Sequence, residues 1–303
     1  MNRYSKDRTV FWLFLLPALL SFMIVVVIPF FMGIYYSMTD WTAISGRQIS
    51  WVGLANYANM WSDVQFKYSF IRTFVFTVLS VVTINFIALF LAYLVTREVK
   101  FRNFFRAGFF LPNLIGGLVL GYIWQFIFKS IIPPLGGLFG IKAIEDVVIL
   151  GDATLTLFGL VFAYTWQYAG YIMMIYVAAI LNVPQSLVEA CEIDGANFWQ
   201  KFRNITVPMI AQAITITSFL TVVNSFKQYD IIVAFTGGGP TTLFGAAKDV
   251  VNSTELLAVH IYEVAFVYND MAGGQAKAII FFIVLSVVSI TQVVYSKRRE
   301  VEL

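Results

Sequence analysis

The chain has 303 residues, 59% of them hydrophobic and 12% charged, with a net charge of +3 at pH 7. A soluble domain carries about a quarter charged residues, so the composition excludes an ordinary water-soluble fold, and the small net charge gives no support to nucleic-acid binding. One cysteine, Cys191, excludes an internal disulfide, and one histidine, His260, leaves little for metal chemistry.

A spanning helix needs about 20 mostly apolar residues. The first run that qualifies is Val10–Met38. Arg3, Lys6 and Arg8 precede it as they would a secretory signal. The run is longer than the about 7–15 residues of a signal core and no Ala-x-Ala site follows, so an uncleaved first span is expected. The outer segment Thr39–Tyr68 carries Trp41, Trp51 and Trp61, read as an interfacial belt or an outer-loop core. Ser69–Thr96 and Phe104–Phe128 are the second and third spans, with Arg97, Lys100, Arg102 and Arg106 between them as topology determinants. The outer segment Lys129–Asp152 contains turn signals at Ile132-Pro133-Pro134 and Gly136-Gly137. Ala153–Leu181 is the fourth span, and Val207–Phe235 the fifth. Thr236–Gly273, with a turn at Gly237-Gly238-Gly239-Pro240 and His260 as a loop residue, leads to the last span, Gly274–Ser296.

The expected fold is therefore all-α: one polytopic membrane domain over 1–303 with six transmembrane helices. Placing both termini in the cytoplasm puts 12 of the 20 lysines and arginines inside, Arg298 and Arg299 among them, and 5 outside, including Arg47. That bias sets the orientation. It also places the polar segment 182–206, between the fourth and fifth spans, in the cytoplasm.

Within that segment Pro184 suits the first turn of a short helix. Leu187, Val188 and Cys191 fall on one face of it, and Gln185, Glu189 and Glu192 elsewhere. Asp194-Gly195 ends the helix, Gly195 being suited to a left-handed C-terminal position, and a second short helix follows through Phe198, Trp199 and Phe202. On pattern alone this is equally an amphipathic elbow lying at the interface. The residues Glu189, Ala190, Asp194, Gly195 and Ala196, with Ile205 and Pro208, resemble the EAA loop of ABC-importer permeases; Cys191 stands where that family has a second alanine. Val52–Tyr57, Phe105-Arg106 with Phe110-Leu111-Pro112, Phe226–Asp230 with Thr236–Pro240, and Ile261-Tyr262 with Ala265-Phe266 resemble further signatures of the family, in the same order along the chain. They point to its carbohydrate branch, in the maltose-type permease half.

The resemblance implies a subunit that imports a carbohydrate of the oligosaccharide type from an extracytoplasmic binding protein, by alternating access across a bacterial inner or plasma membrane. It implies a second homologous permease and a cytoplasmic ATPase dimer that takes the loop of Glu189, Ala190, Cys191, Asp194, Gly195 and Ala196 into a cleft, where Glu189 would meet an arginine. No Gly-x-x-x-x-Gly-Lys-Ser/Thr occurs, so ATP and magnesium are expected on the partner and no catalytic residue is expected here.

Polar residues within the spans are the candidates for solute contact. Tyr164, Tyr168 and Tyr171 recur at helical spacing on the fourth span, and Asn224, Ser225 and Gln228 lie in the fifth. Sugar rings stack on aromatic faces and their hydroxyls need donors and acceptors; a helix-packing seam would use the same residues. Lys227 and Asp230, three apart, fit one helical face, as an ion pair or as a functional pair. A gradient-driven transporter or channel is the alternative, and it calls for broken helices around a midplane ion site. An intramembrane enzyme ranks last, since neither His-Glu-x-x-His nor Gly-x-Gly-Asp occurs.

Overall fold

The computed structural model describes residues 3–297 apart from 45–47, 98–99, 143–145 and 147; Arg47, Arg298 and Arg299 lie outside the described residues. Two compact units are present, Met1–Ser62 with Ile261–Phe282 and Asp63–His260 with Ile283–Leu303.

In the first unit, α1 (Arg3–Phe22) passes through a π-helical turn into α2 (Ile28–Tyr36). None of the apolar window of Val10–Tyr36 is buried within the chain. After α2 the chain turns, and α3 (Ala55–Asn59) follows. The Val52–Tyr57 motif has a local structural purpose. Gly53 takes φ +61°, Asn56 Nδ2 donates to the carbonyls of Ser37 and Thr39 at 2.8 Å each, and the Tyr57 hydroxyl shares a 2.7 Å bond with Ser37. These bonds satisfy carbonyls that the end of α2 leaves without helical partners.

The second unit is organised by two long helices. α4 (Val64–Thr96) starts on Asp63, whose carboxylate accepts from the Phe66 amide. It buries a stripe that includes Ser69, Thr73, Thr77, Ser80, Ala88 and Ala92, small residues that let a neighbouring backbone come close. The neighbour, after α5 (Arg102–Phe110), α6 (Gly117–Phe126) and α7 (Ile132–Leu138), is α8 (Ala153–Leu181), capped by Asp152. Then come α9 (Gln185–Ile193), α10 (Phe198–Lys201), α11 (Val207–Met209), α12 (Ala211–Phe226) and α13 (Asp230–Phe235). α12 packs on both α4 and α8. An antiparallel hairpin of β1 (Thr241–Phe244) and β2 (Asp249–Asn252) follows, then α14 (Leu257–Tyr262) and α15 (Met271–Lys297).

Among the described residues, four helices are individually long and apolar enough to cross a bilayer: Val10–Tyr36, Val64–Thr96, Gly117–Leu138 and Met271–Lys297. Two bent pairs bring the number to as many as six, Ala153–Leu181 with Gln185–Ile193 at 69° and Phe198–Met209 with Ala211–Phe226 at 70°. The fourth expected span coincides with Ala153–Leu181, the first helix of one pair, whereas the fifth, 207–235, starts within the second pair and runs past it into α13.

Four sequence expectations need correction. The third span is not one helix over 104–128: α5 runs into a 3₁₀ turn at Leu111–Leu114, Ile115 is extended, and α6 starts afresh from Gly116. Ile132-Pro133-Pro134 is not a turn but opens α7, a position where the missing proline N–H costs nothing. The fifth span is interrupted at 227–229, so Lys227 ends α12 and Asp230 begins α13; they do not share a helical face and no ion pair joins them. His260 is no open loop residue. It is 2% exposed, with Nδ1 2.7 Å from Glu255 and Nε2 3.1 Å from Asp63. The clasp ties the start of α4 to the segment after the hairpin.

Candidate functional site

Residues 182–206 fold as two short helices at the end of α8. Pro184 is the N-cap of α9, one position ahead of the expected first turn, with φ fixed at −58°. No residue of α9 is buried; Val188 and Cys191 are half-buried and Glu189 is exposed, its carboxylate accepting from Gln185 at 2.8 Å. Ile193 is 87% exposed.

The turn itself is specific. Gly195 takes φ +77°, its amide bonds the Glu192 carbonyl at 3.1 Å, and the Ala196 amide bonds the Cys191 carbonyl at 3.0 Å. This pair of bonds is a Schellman motif with Gly195 at the left-handed position. Asn197 then caps α10 through a reciprocal capping box with Gln200. Cross-links fix the geometry between the two helices and the rest of the unit: Glu192 and Lys201 form a 2.6 Å ion pair, and Arg97 at the end of α4 lies over the rings of Tyr93 and Phe198. Trp199 stacks on Phe202 at 5.6 Å. Ile205 lies in the π-helical turn that follows, and Pro208 in α11.

The six intramembrane candidates divide. Tyr164 is fully buried, its ring 5.3 Å from Phe76 and 4.5 Å from Tyr168, and among the described residues its hydroxyl has no hydrogen-bond partner. Ser225 is also fully buried and donates to the Thr221 carbonyl at 2.7 Å. These two belong to the seam between α8 and α12. Tyr168, Tyr171 and Asn224 are half-buried and Gln228 is buried just beyond α12. Asp230, at the start of α13, is exposed. Tyr168, Tyr171 and Asn224 are thus the half-open members of the set.

Sequence reasoning missed what surrounds that break. Gln167 donates from Nε2 to the Ile115 carbonyl at 3.0 Å, which occupies an acceptor freed where the third span is interrupted. α6 and α13 meet through Gly117 and Gly121, where an added Cβ would come 2.8 Å from Asp230 Cβ and 2.8 Å from the Ile231 carbonyl oxygen, respectively. Deeper in, Tyr176 donates to Asn85 at 2.9 Å and accepts from Thr217 at 2.7 Å, linking α4, α8 and α12. The spacing Gly117-x-x-x-Gly121 was the available signal for the first contact. The break at Ile115 is thus bridged by a protein side chain.

Residues 84–301 match the model of the family described as the binding-protein-dependent transport system inner membrane component. The chain belongs to this family. The permease is 44% identical, over 99% of its length and 98% of the relative's, to a probable starch degradation products transport system permease protein of Thermoanaerobacterium thermosulfurigenes. It is 30% identical, over 96% of both chains, to a multiple sugar-binding transport system permease protein of Streptococcus mutans. Its fold is similar to that of a chain of a bacterial ABC transporter involved in the import of the acidic polysaccharide alginate, with a TM-score of 0.80 and 20% identity over 98% of this chain and 99% of the other. The permease is thus a multi-pass inner-membrane subunit of an ABC importer, a transport component rather than an enzyme. The gradient-driven alternative falls with that assignment.

Proposed function

We propose that this permease carries an oligosaccharide-type carbohydrate, delivered by an extracytoplasmic binding protein, through a path formed with a second homologous permease, and that 182–206 receives the driving motion from a cytoplasmic ATPase dimer that holds ATP and magnesium. Both termini are then cytoplasmic, and 1–303 works as one membrane domain. The observation that carries the reading is the exposed, Schellman-terminated α9 on a rigidly tied loop in a chain of this family. The names of the relatives, starch degradation products and multiple sugars, support the substrate class.

In this reading ATP closes the ATPase dimer, α9 is displaced as a body with its cross-linked neighbours, and α8 and α12 pass the motion to the solute path. Tyr168, Tyr171 and Asn224 would line that path with Gln228, while Tyr164 and Ser225 support them from behind. Single cysteines introduced in a Cys191→Ser background test this assignment. Positions 168, 171 and 224 are expected to react with small hydrophilic thiol reagents in the assembled transporter, with protection by a starch-derived oligosaccharide, and positions 164 and 225 to stay unreactive. Inertness of the first three in every nucleotide state would make the whole group helix packing.

Glu189→Lys is expected to weaken recovery of the ATPase with the permease. It replaces the carboxylate that would meet an ATPase arginine by a like charge, and losing a partner at such a contact costs on the order of 2–5 kcal/mol. Pull-down of the ATPase across a salt series checks it; undiminished recovery at low salt removes Glu189 from the contact.

A further inference from the structure

Asn85, Tyr176, Thr217 and Thr221 belong neither to the solute candidates nor to the loop, yet they close a hydrogen-bonded circuit across three helices. Asn85 of α4 donates from Nδ2 to the Val81 carbonyl at 2.8 Å and to the Thr221 hydroxyl at 3.4 Å. Thr221 of α12 donates to the Thr217 carbonyl at 2.7 Å, and Thr217 donates to the Tyr176 hydroxyl at 2.7 Å. Tyr176 of α8 gives its own proton to Asn85 Oδ1 at 2.9 Å. Every side-chain donor of the four is engaged, so each bond has a fixed direction. Tyr176, Thr217 and Thr221 are buried, and a fully satisfied buried network holds its members rigidly.

The level of this circuit is what gives it a role. Tyr176 lies about one and a half turns before the 69° bend that ends Ala153–Leu181, and Thr217 about one and a half turns after the 70° bend that precedes Ala211–Phe226. Tyr171 is about 8 Å further from the loop along α8, and Asn224 about 10 Å further along α12. The end of α4 meets the loop as well, through Arg97 over Phe198 and through the Tyr93 ring 5.1 Å from that of Phe198. All three helices that touch 182–206 are therefore joined again between it and the candidate path. Without that junction, a push on the loop would be absorbed by more bending at either break or by sliding of α8 against α12.

We propose that Tyr176 is a positioning residue for transport, holding α4, α8 and α12 together so that displacement of the loop reaches the level of Tyr171 and Asn224. The inference rests on the reading of 182–206 as the loop that receives the ATPase. It predicts that loss of the circuit leaves ATP hydrolysis running and makes it less productive.

The test uses the assembled transporter with its binding protein in proteoliposomes, with ATP hydrolysis, uptake of a starch-derived oligosaccharide and Tm measured on the same preparations. Tyr176→Phe keeps the ring and removes the hydroxyl. Thr217→Val keeps the side-chain shape and removes the donor, and Thr217→Ser keeps the donor. Phenylalanine at 176 and valine at 217 should each raise the ATP hydrolysed per sugar moved by roughly two- to tenfold, the weight of one net hydrogen bond. Thr217→Ser should match the wild type. An unchanged ratio in Thr217→Val, whatever its Tm, would make the circuit helix packing alone and overturn the proposal. So would a serine variant as impaired as the valine one. A benzophenone amino acid at Ile193 keeps the two readings apart. ATPase capture with an unchanged ratio strikes the circuit only, whereas no capture in the wild type strikes the loop assignment and the proposal with it.

Discussion

Gly170→Ala is expected to abolish correct folding of the second unit. A Cβ at Gly170 would overlap the carbonyl of Phe109 and stand 2.9 Å from the Phe110 nitrogen, and both are backbone atoms that no rotamer change can move. α8 and the end of α5 would have to separate. Overpacking of a tight site costs about 1–3 kcal/mol and more when backbone must shift. Here the shift would also disturb the 3₁₀ turn that follows α5 and the Gln167–Ile115 bond beyond it. The expected result is loss of the monodisperse peak in detergent and a lower Tm in whatever material survives. Gly108→Ala, on α5 itself and with open space at its Cβ, is the control and should behave as wild type. A Gly170→Ala protein of unchanged Tm would show that α5 and α8 are not in contact there.

Gly195→Val is expected to separate ATP hydrolysis from transport without removing the protein from the membrane. Nothing lies within 4 Å of a Cβ at this position, so the substitution adds no clash; its effect comes from the φ of +77° alone. A residue with a Cβ pays about 1–2 kcal/mol in the left-handed region, and a β-branched one more. α9 is nowhere buried, so the chain relieves that strain by unwinding the last turn, which moves Ile193 and Asp194 relative to Glu189. Gly195→Asn provides the discriminating comparison, because asparagine tolerates the left-handed conformation. Uptake in proteoliposomes should be lost in the valine variant and largely retained in the asparagine one. Equal uptake in both would show that the Schellman turn is not needed for coupling.

The loop could be read in the sequence because its signals are local. Proline at the start of a helix and glycine at its end each act within a few residues; Gly195 takes the left-handed position expected of it, and Pro184 stands one position ahead of the first turn. The six apolar runs were also legible, since length and hydropathy are summed along the chain. The interruptions inside the third and fifth runs were not, because Ile115 and Tyr229 are apolar or amphipathic and leave the run's composition unchanged. Their cause is tertiary: Gln167, 52 residues from Ile115, and Gly117 and Gly121 against α13. Proline misled at 133 and 134 for a related reason, since the same residue marks both a turn and the first turn of a helix. His260 read as a loop residue because Asp63, one of its partners, is 197 residues away. Likewise the tyrosines of α8 lie on one helix, yet Tyr164 is fully buried against Phe76 of α4 while Tyr168 is only half-buried.

The most direct test of the account is a site-specific photocrosslink. A benzophenone amino acid at Ile193, 87% exposed at the tip of α9, is compared with one at Val250, 70% exposed on the hairpin, in the assembled transporter in native membranes. The account requires that position 193 capture a polypeptide carrying a Gly-x-x-x-x-Gly-Lys-Ser/Thr phosphate-binding loop, with a yield that changes on trapping with ATP, and that position 250 never do so. An ATPase captured from Val250, or no ATPase captured from Ile193 in any nucleotide state, would contradict both the coupling role of 182–206 and the orientation of the chain.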